Sequence, residues 1–112
     1  MKRGEVYWGN FAPAVGTEIQ KTRPCLIVSN NIANLHSSVV TVLPLTSQKL
    51  DKIYSFEVAV LNNSKIKNSK IKANQIRTFG KARIGARITE LSSAIMANVD
   101  KALLLHLGIN PK

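Results

Sequence analysis

Apolar, β-branched runs in this chain stay short, and that limits what it can fold into. Glu5–Phe11, Pro24–Ser29, Val39–Leu45 and Tyr54–Val60 are separated by polar connections rich in Asn, Ser and Gly. Such lengths suit strands and fall below what a stable helix needs, so the sequence predicts a mainly β protein. Asn62-Asn63 marks a turn, Ala73–Phe79 reads as a further strand, and Gly80–Arg87 as a basic, glycine-punctuated loop or irregular strand. Asn63–Lys72 repeats Asn-Ser-Lys-Ile-Lys twice, but a five-residue unit buries nothing by itself. Alternation within each copy predicts cation-bearing ribbons, with Lys65 and Lys67 on one side of an extended segment and Ile66 on the other, and likewise Lys70 and Lys72 opposite Ile71.

One helix is expected, over about residues 92–107. Ser92 can cap it, Leu91 and Met96 have the spacing of a hydrophobic staple, and Ile95, Val99, Ala102 and Leu103 form an apolar stripe. Gly108 and Pro111 end it. The stripe predicts packing against the sheet, and His106 near the helix C-terminus reads as structural or surface. His36, in the Asn30–Ser38 connection, has no histidine near it in sequence, which gives two-histidine acid–base chemistry little support.

The clearest chemical feature is Arg23-Pro24 at the head of Cys25-Leu26-Ile27-Val28. Proline fixes its own φ and pushes the preceding residue toward extended geometry, which holds the Arg23 guanidinium at the rim of a sheet. A second strand runs into Leu45-Thr46-Ser47-Gln48, placing two hydroxyls and an amide at its tip. A planar guanidinium with hydroxyl donors, and no metal-ligand spacing in the sequence, is suited to holding a phosphodiester.

The chain has 112 residues, with 16 Lys and Arg against 6 Asp and Glu, for a formal net charge of +10. Eight of these cations lie between Glu57 and Glu90 with no acid among them. Nucleic acid and acidic protein segments are the natural partners of such a field, although lysines also serve to block sheet edges. The length fits one domain, 1–112. Cys25, the single cysteine, cannot form an intramolecular disulfide, and no apolar stretch has signal-peptide or membrane-span length. A soluble protein of the reducing cytoplasm, with no membrane association, is therefore expected.

Arg3-Gly-Glu-Val-Tyr-Trp8, Gly16-Thr-Glu18 leading to Arg23-Pro24, Pro44-Leu-Thr-Ser47 and Asn74-Gln-Ile-Arg-Thr78 stand in the order and spacing of one family. The chain resembles the MazF/PemK/Kid toxins of type II toxin–antitoxin pairs over most of its length. This resemblance implies an SH3-like β-barrel with a C-terminal α-helix, a homodimer, and a metal-independent, sequence-specific endoribonuclease neutralised by an acidic antitoxin. No cofactor is implied.

RNA carries its own nucleophile in the 2′-OH. Cleavage then requires orienting that hydroxyl, stabilising the phosphorane's added negative charge and protonating the leaving 5′-oxygen. Arg23 fits charge stabilisation, and Thr46 fits a hydrogen bond to a phosphate oxygen; the resemblance places both in the catalytic centre. Glu18 is the remaining candidate for general base, because Asn74 occupies a position that is acidic in some relatives. Thr17, Ser47, Gln48, Asn74, Gln75, Arg77, Lys81 and Arg83 are the expected RNA-binding residues. Tyr7, Trp8 and Phe11 can stack on bases, with Trp8 expected in the core or a dimer contact. A non-catalytic toxin of the same fold that binds a topoisomerase, and a basic RNA-binding module, are the alternatives.

Overall fold

The computed structural model describes residues 1–13, 16 and 21–110. Seven strands form one antiparallel sheet: β1 Glu5–Asn10, β2 Thr22–Ile27, β3 Val39–Thr46, β4 Glu57–Val60, β5 Ser69–Lys72, β6 Arg77–Gly80 and β7 Ile84–Glu90. Helix α1 (Asn31–His36) lies between β2 and β3, and α2 (Ser93–Leu107) closes the described chain. The strand order is β4-β5-β3-β2-β1-β7, with β6 also paired to β3. β3 is thus the hub: Val39–Val42 pairs with β6, Leu45 and Thr46 pair with β5, and Val42–Pro44 pairs with β2 along the other edge. Among the described residues β4 and β7 do not pair, so the expected barrel is an open sheet, an order compatible with a barrel-like fold.

Side-chain alternation splits β2 and β3 between two apolar clusters. Leu26, Leu43 and Leu45 face one way, joining Val6, Val58, Val60 and Ile71 beneath Val99 and Ala102 of α2. Cys25, Ile27, Val40 and Val42 face the other way, with Phe11 and Phe79. Leu26 and Leu43 are fully buried, and truncating either to alanine should cost ~2–5 kcal/mol. The helix therefore covers one face of the central strands, and the other is left to the smaller cluster and its polar surroundings.

Helix α2 follows its sequence signals. Ser92 Oγ accepts from Ile95 N (3.2 Å). Gly108 adopts φ 69°, where only glycine avoids a Cβ penalty, and its N–H and that of Ile109 satisfy the carbonyls of Leu105 and Leu104. Val99 and Ala102 are buried, with Ile95, Met96 and Leu103 packed at the cluster edge. Pro111 lies outside the described residues.

Several expectations change. Asn30–Ser38, expected as a connection, contains α1; Asn30 Oδ1 caps it by accepting from Ala33 N (2.8 Å). The strand expected over Ala73–Phe79 is interrupted by a 3-10 turn at Ala73–Gln75 and resumes at Arg77, and the one expected from Tyr54 begins at Glu57. Gly80–Arg87 divides into a 3-10 turn at Lys81–Arg83 and β7. Lys70 is not on a solvent-facing ribbon but only 4% exposed, because Glu57 pairs with it from the neighbouring strand. Trp8 is 44% exposed, so it is not core within this chain, whereas Phe11 is buried.

Candidate active site

Arg23 sits on β2 between two strands that leave it room. On one side its register partner is Gly9, which has no side chain. On the other, β2 and β3 pair Ile27 with Val42, Leu26 with Leu43 and Cys25 with Pro44. Each pair sums to 69, so the same register carried two residues further sets Arg23 level with Thr46. Residues directly opposite in an antiparallel pair share a face. Arg23 and Thr46 therefore belong to the face of Cys25 and Ile27, opposite the one that α2 covers. Both are half-buried.

A second guanidinium joins this face from β6. Arg77 pairs with Val42, donates from Nη1 to the Phe11 carbonyl (2.9 Å), and lies 5.9 and 5.6 Å from the ring centroids of Phe11 and Phe79. Those rings contact one another at 5.3 Å. Arg83 closes over Phe79 at 5.8 Å and donates to the carbonyls of Ala12 (2.6 Å) and Asn10 (3.2 Å). Stacking on aromatic faces and bonding to carbonyls fixes both guanidinium groups without neutralising them. Positive charge is thereby built into the smaller cluster. Cys25 beneath it is fully buried, and burial pushes its thiol up to about 12 against a weaker opposing backbone hydrogen bond from Tyr7, so it is no nucleophile.

Thr46 ends β3. Its Oγ1 accepts from Gln48 N (3.2 Å), folding the chain tightly so that Ser47 and Gln48 are exposed beside it. Lys70 is its partner across β5. The Lys70 ammonium donates to the carbonyls of Lys49 (3.0 Å) and Lys52 (3.1 Å) and pairs with Glu57 Oε1 (3.0 Å). Glu57 also accepts from Lys72 Nζ (2.9 Å) and Tyr54 N (3.0 Å). Burial alone would raise the Glu57 carboxyl, but the hydrogen bonds from Tyr54, Lys72 and Lys70, with the charge of Lys72, win and hold it below the ordinary carboxylate value.

Lys81, in contrast, bonds the Asn34 carbonyl (2.5 Å) and follows Gly80, the partner of Val39. That is the far end of β3 from Thr46, roughly 20 Å along the strand, so Lys81 is not brought together with Arg23 and Thr46. Asn74 is exposed and Gln75 half-buried in the 3-10 turn between β5 and β6. Thr17 and Glu18 lie outside the described residues. Phe79 and Gly9 shape the site yet drew no notice in the sequence. The signal for Phe79 was its place two residues after Arg77, on the same side of a strand.

Fold and face together define a class: a basic, mainly β protein whose side not covered by α2 fixes guanidinium groups around an aromatic pair and beside a strand-end hydroxyl. A family model described as PemK-like, MazF-like toxin of type II toxin–antitoxin system matches residues 2–107, and the chain belongs to that family. It is 37% identical over 117 residues to endoribonuclease MazF9 of Mycobacterium tuberculosis, covering 97% of this chain and 98% of the relative. To endoribonuclease EndoA of Bacillus subtilis it is 34% identical over 120 residues, covering 97% and 96%. Among solved structures it is similar to a mycobacterial endoribonuclease in complex with its cognate antitoxin, with TM-score 0.84, 28% identity and coverage of 100% and 99%. MazF from Deinococcus radiodurans superposes with TM-score 0.85 at 27% identity, covering 96% of each chain.

Proposed function

We propose that this chain is the toxin of a type II toxin–antitoxin pair and an endoribonuclease that cuts single-stranded messenger RNA without a metal ion. What supports this reading is strand register: Arg23 pairs with Gly9, and the β2–β3 pairing, continued two residues beyond Cys25–Pro44, brings Arg23 level with Thr46 on the face that α2 leaves open. A scissile phosphate seated there has a guanidinium for its developing charge and the Thr46 hydroxyl for a non-bridging oxygen. The 2′-oxygen attacks phosphorus, the P–O5′ bond breaks, and the 5′-oxygen takes a proton from solvent water as it leaves, giving a 2′,3′-cyclic phosphate and a 5′-hydroxyl. Glu18, which precedes β2 in the sequence, is the proposed acceptor of the 2′-OH proton.

Arg77, with Gln75, Ser47 and Gln48, is proposed to hold the RNA strand on either side of that phosphate. Arg77 and Arg83 are held against the Phe79 ring, and fixed guanidinium groups suit a polyanion. An acidic antitoxin is the proposed protein partner, supported by the net charge of +10 and by the similarity to an endoribonuclease solved with its cognate antitoxin. Homodimerisation and a cytoplasmic location complete the proposal; no helix of the described residues is long and apolar enough to cross a membrane.

The test is incubation of the purified protein with a long single-stranded RNA in EDTA. Discrete fragments with 5′-hydroxyl and cyclic-phosphate ends are expected. RNA that is bound and left intact would refute the enzyme reading.

A further inference from the structure

The segment between β3 and β4 begins at Thr46, and it is folded around one buried ammonium. Lys70, from β5, reaches under it to the carbonyls of Lys49 and Lys52 at 3.0 and 3.1 Å. Its remaining charge is met by Glu57 Oε1 at 3.0 Å, and Glu57 in turn holds Tyr54 N at 3.0 Å. The hydrogen bonds tying positions 49, 52 and 54 to the sheet thus come from one Lys–Glu pair. Burying a lysine is costly unless its donors are met, and here three acceptors converge on it. An apolar side chain would fill the same space without that cost, but it would not fix the course of the segment above it.

The segment follows Thr46 directly in the chain, and Lys70 is the register partner of Thr46 on β5. Lys52 Nζ stands 4.9 Å from the Tyr54 ring centroid, and the ring stacks on Phe56 at 5.3 Å with an interplanar angle of 7°. Lys49, Lys52, Tyr54, Lys72 and Asn74 line a cavity of about 490 Å³, together with Asp51 and with Glu57, whose charge is met by Lys70 and Lys72. Tyr54 is 46% exposed. Aromatic surface beside ammonium groups is the combination that holds an unpaired base and its phosphate.

Resting on the ribonuclease reading above, we infer that Lys70 is a positioning residue for substrate choice: its ammonium holds Lys49, Lys52 and Tyr54 where they meet a nucleotide flanking the phosphate at Thr46. Lys70 touches no substrate itself. Its role is to keep the flanking subsite in one shape, so that one base is favoured over others.

The test compares the wild type with Lys70→Met, Lys70→Arg and the double variant Lys70→Met/Glu57→Gln. Amide exchange is measured over residues 49–54, and base preference is read from binding to a pool of short 2′-O-methyl RNAs, which the 2′-oxygen cannot cut. For Lys70→Met, exchange at 49–54 should rise by about tenfold or more while β2 and α2 stay protected. Base preference should flatten at one flanking position, and in cleavage KM should rise about tenfold with kcat within about twofold. Lys70→Arg should retain most of the preference, and the double variant should remain defective. Recovery in the double variant would mean that the effect was only the unbalanced charge of Glu57, and would overturn the inference. So would unchanged exchange in Lys70→Met, an unchanged preference despite faster exchange, or a wild type that binds the pool without preference. A wild type that binds with preference but cuts no RNA would refute the ribonuclease reading and leave the binding profile to decide on Lys70.

Discussion

A Cβ added to Gly9 would stand 2.7 Å from Sγ of the buried Cys25. The same atom would meet Phe11 Cε1 at 3.3 Å and Phe79 Cζ at 3.5 Å. Gly9 is also the register partner of Arg23, so the smallness of one residue sets both the packing below the arginine and the space beside it. Gly9→Ala should destabilise the protein by ~1–3 kcal/mol through overpacking. Urea titration checks the value, and a midpoint unchanged from the wild type would show that the cluster yields easily.

Arg23 and Thr46 divide the work on the phosphate in the proposed mechanism. Arg23→Ala should lower kcat by about 10²–10³, and Arg23→Lys should recover only part of it, since an ammonium lacks the planar fork. Thr46→Val should have a smaller effect, because it removes one neutral donor. Both positions are half-buried at strand ends, so thermal melting should move little. Single-turnover cleavage of a defined RNA supplies the measurement, and an Arg23→Ala protein of full activity would remove Arg23 from the reaction.

Glu57 makes folding sensitive to acid. Its folded carboxyl lies below the ordinary value of 4.5, so its contribution to stability is fully present above that pH and is lost as the pH falls through the folded value. Glu5 adds in the same direction: burial would raise it, but Arg87 at 2.6 Å, Lys2 N and Tyr7 hold it low. Melting temperature should therefore be level near neutrality and drop below about pH 4.5. Glu57→Gln should be less stable at pH 7 and show a shallower acid limb. An identical limb in that variant would assign the acid sensitivity elsewhere.

The parts of the fold that were legible in the sequence are those with local causes. Ser92 and Gly108 bracket α2 because capping is decided within a few residues, and Pro24 marks the start of an extended segment for the same reason. α1 was missed because its six residues expose Ile32 and Leu35 at 77% and 75%, leaving no buried stripe to read. The error at Lys70 has a different origin. Counting charges along a segment treats each lysine as solvated, whereas Glu57 lies 13 positions away and meets Lys70 and Lys72 only through the β4–β5 pairing. Arg23 and Thr46 could be chosen as reactive types from sequence. Their alignment across β2 and β3, and the anchoring of Arg77 on Phe11 and Phe79, depend on register.

The hub position of β3 has a consequence for how this protein comes into being. Arg23, Thr46 and Arg77 reach one face through pairings of β3 with strands on either side of it in the sequence. A ribosome that has released only the first sixty or so residues has released no β6, and hence none of the support that Phe79 and Arg77 give that face. The face proposed to seat the phosphate is therefore completed only once most of the polypeptide has emerged.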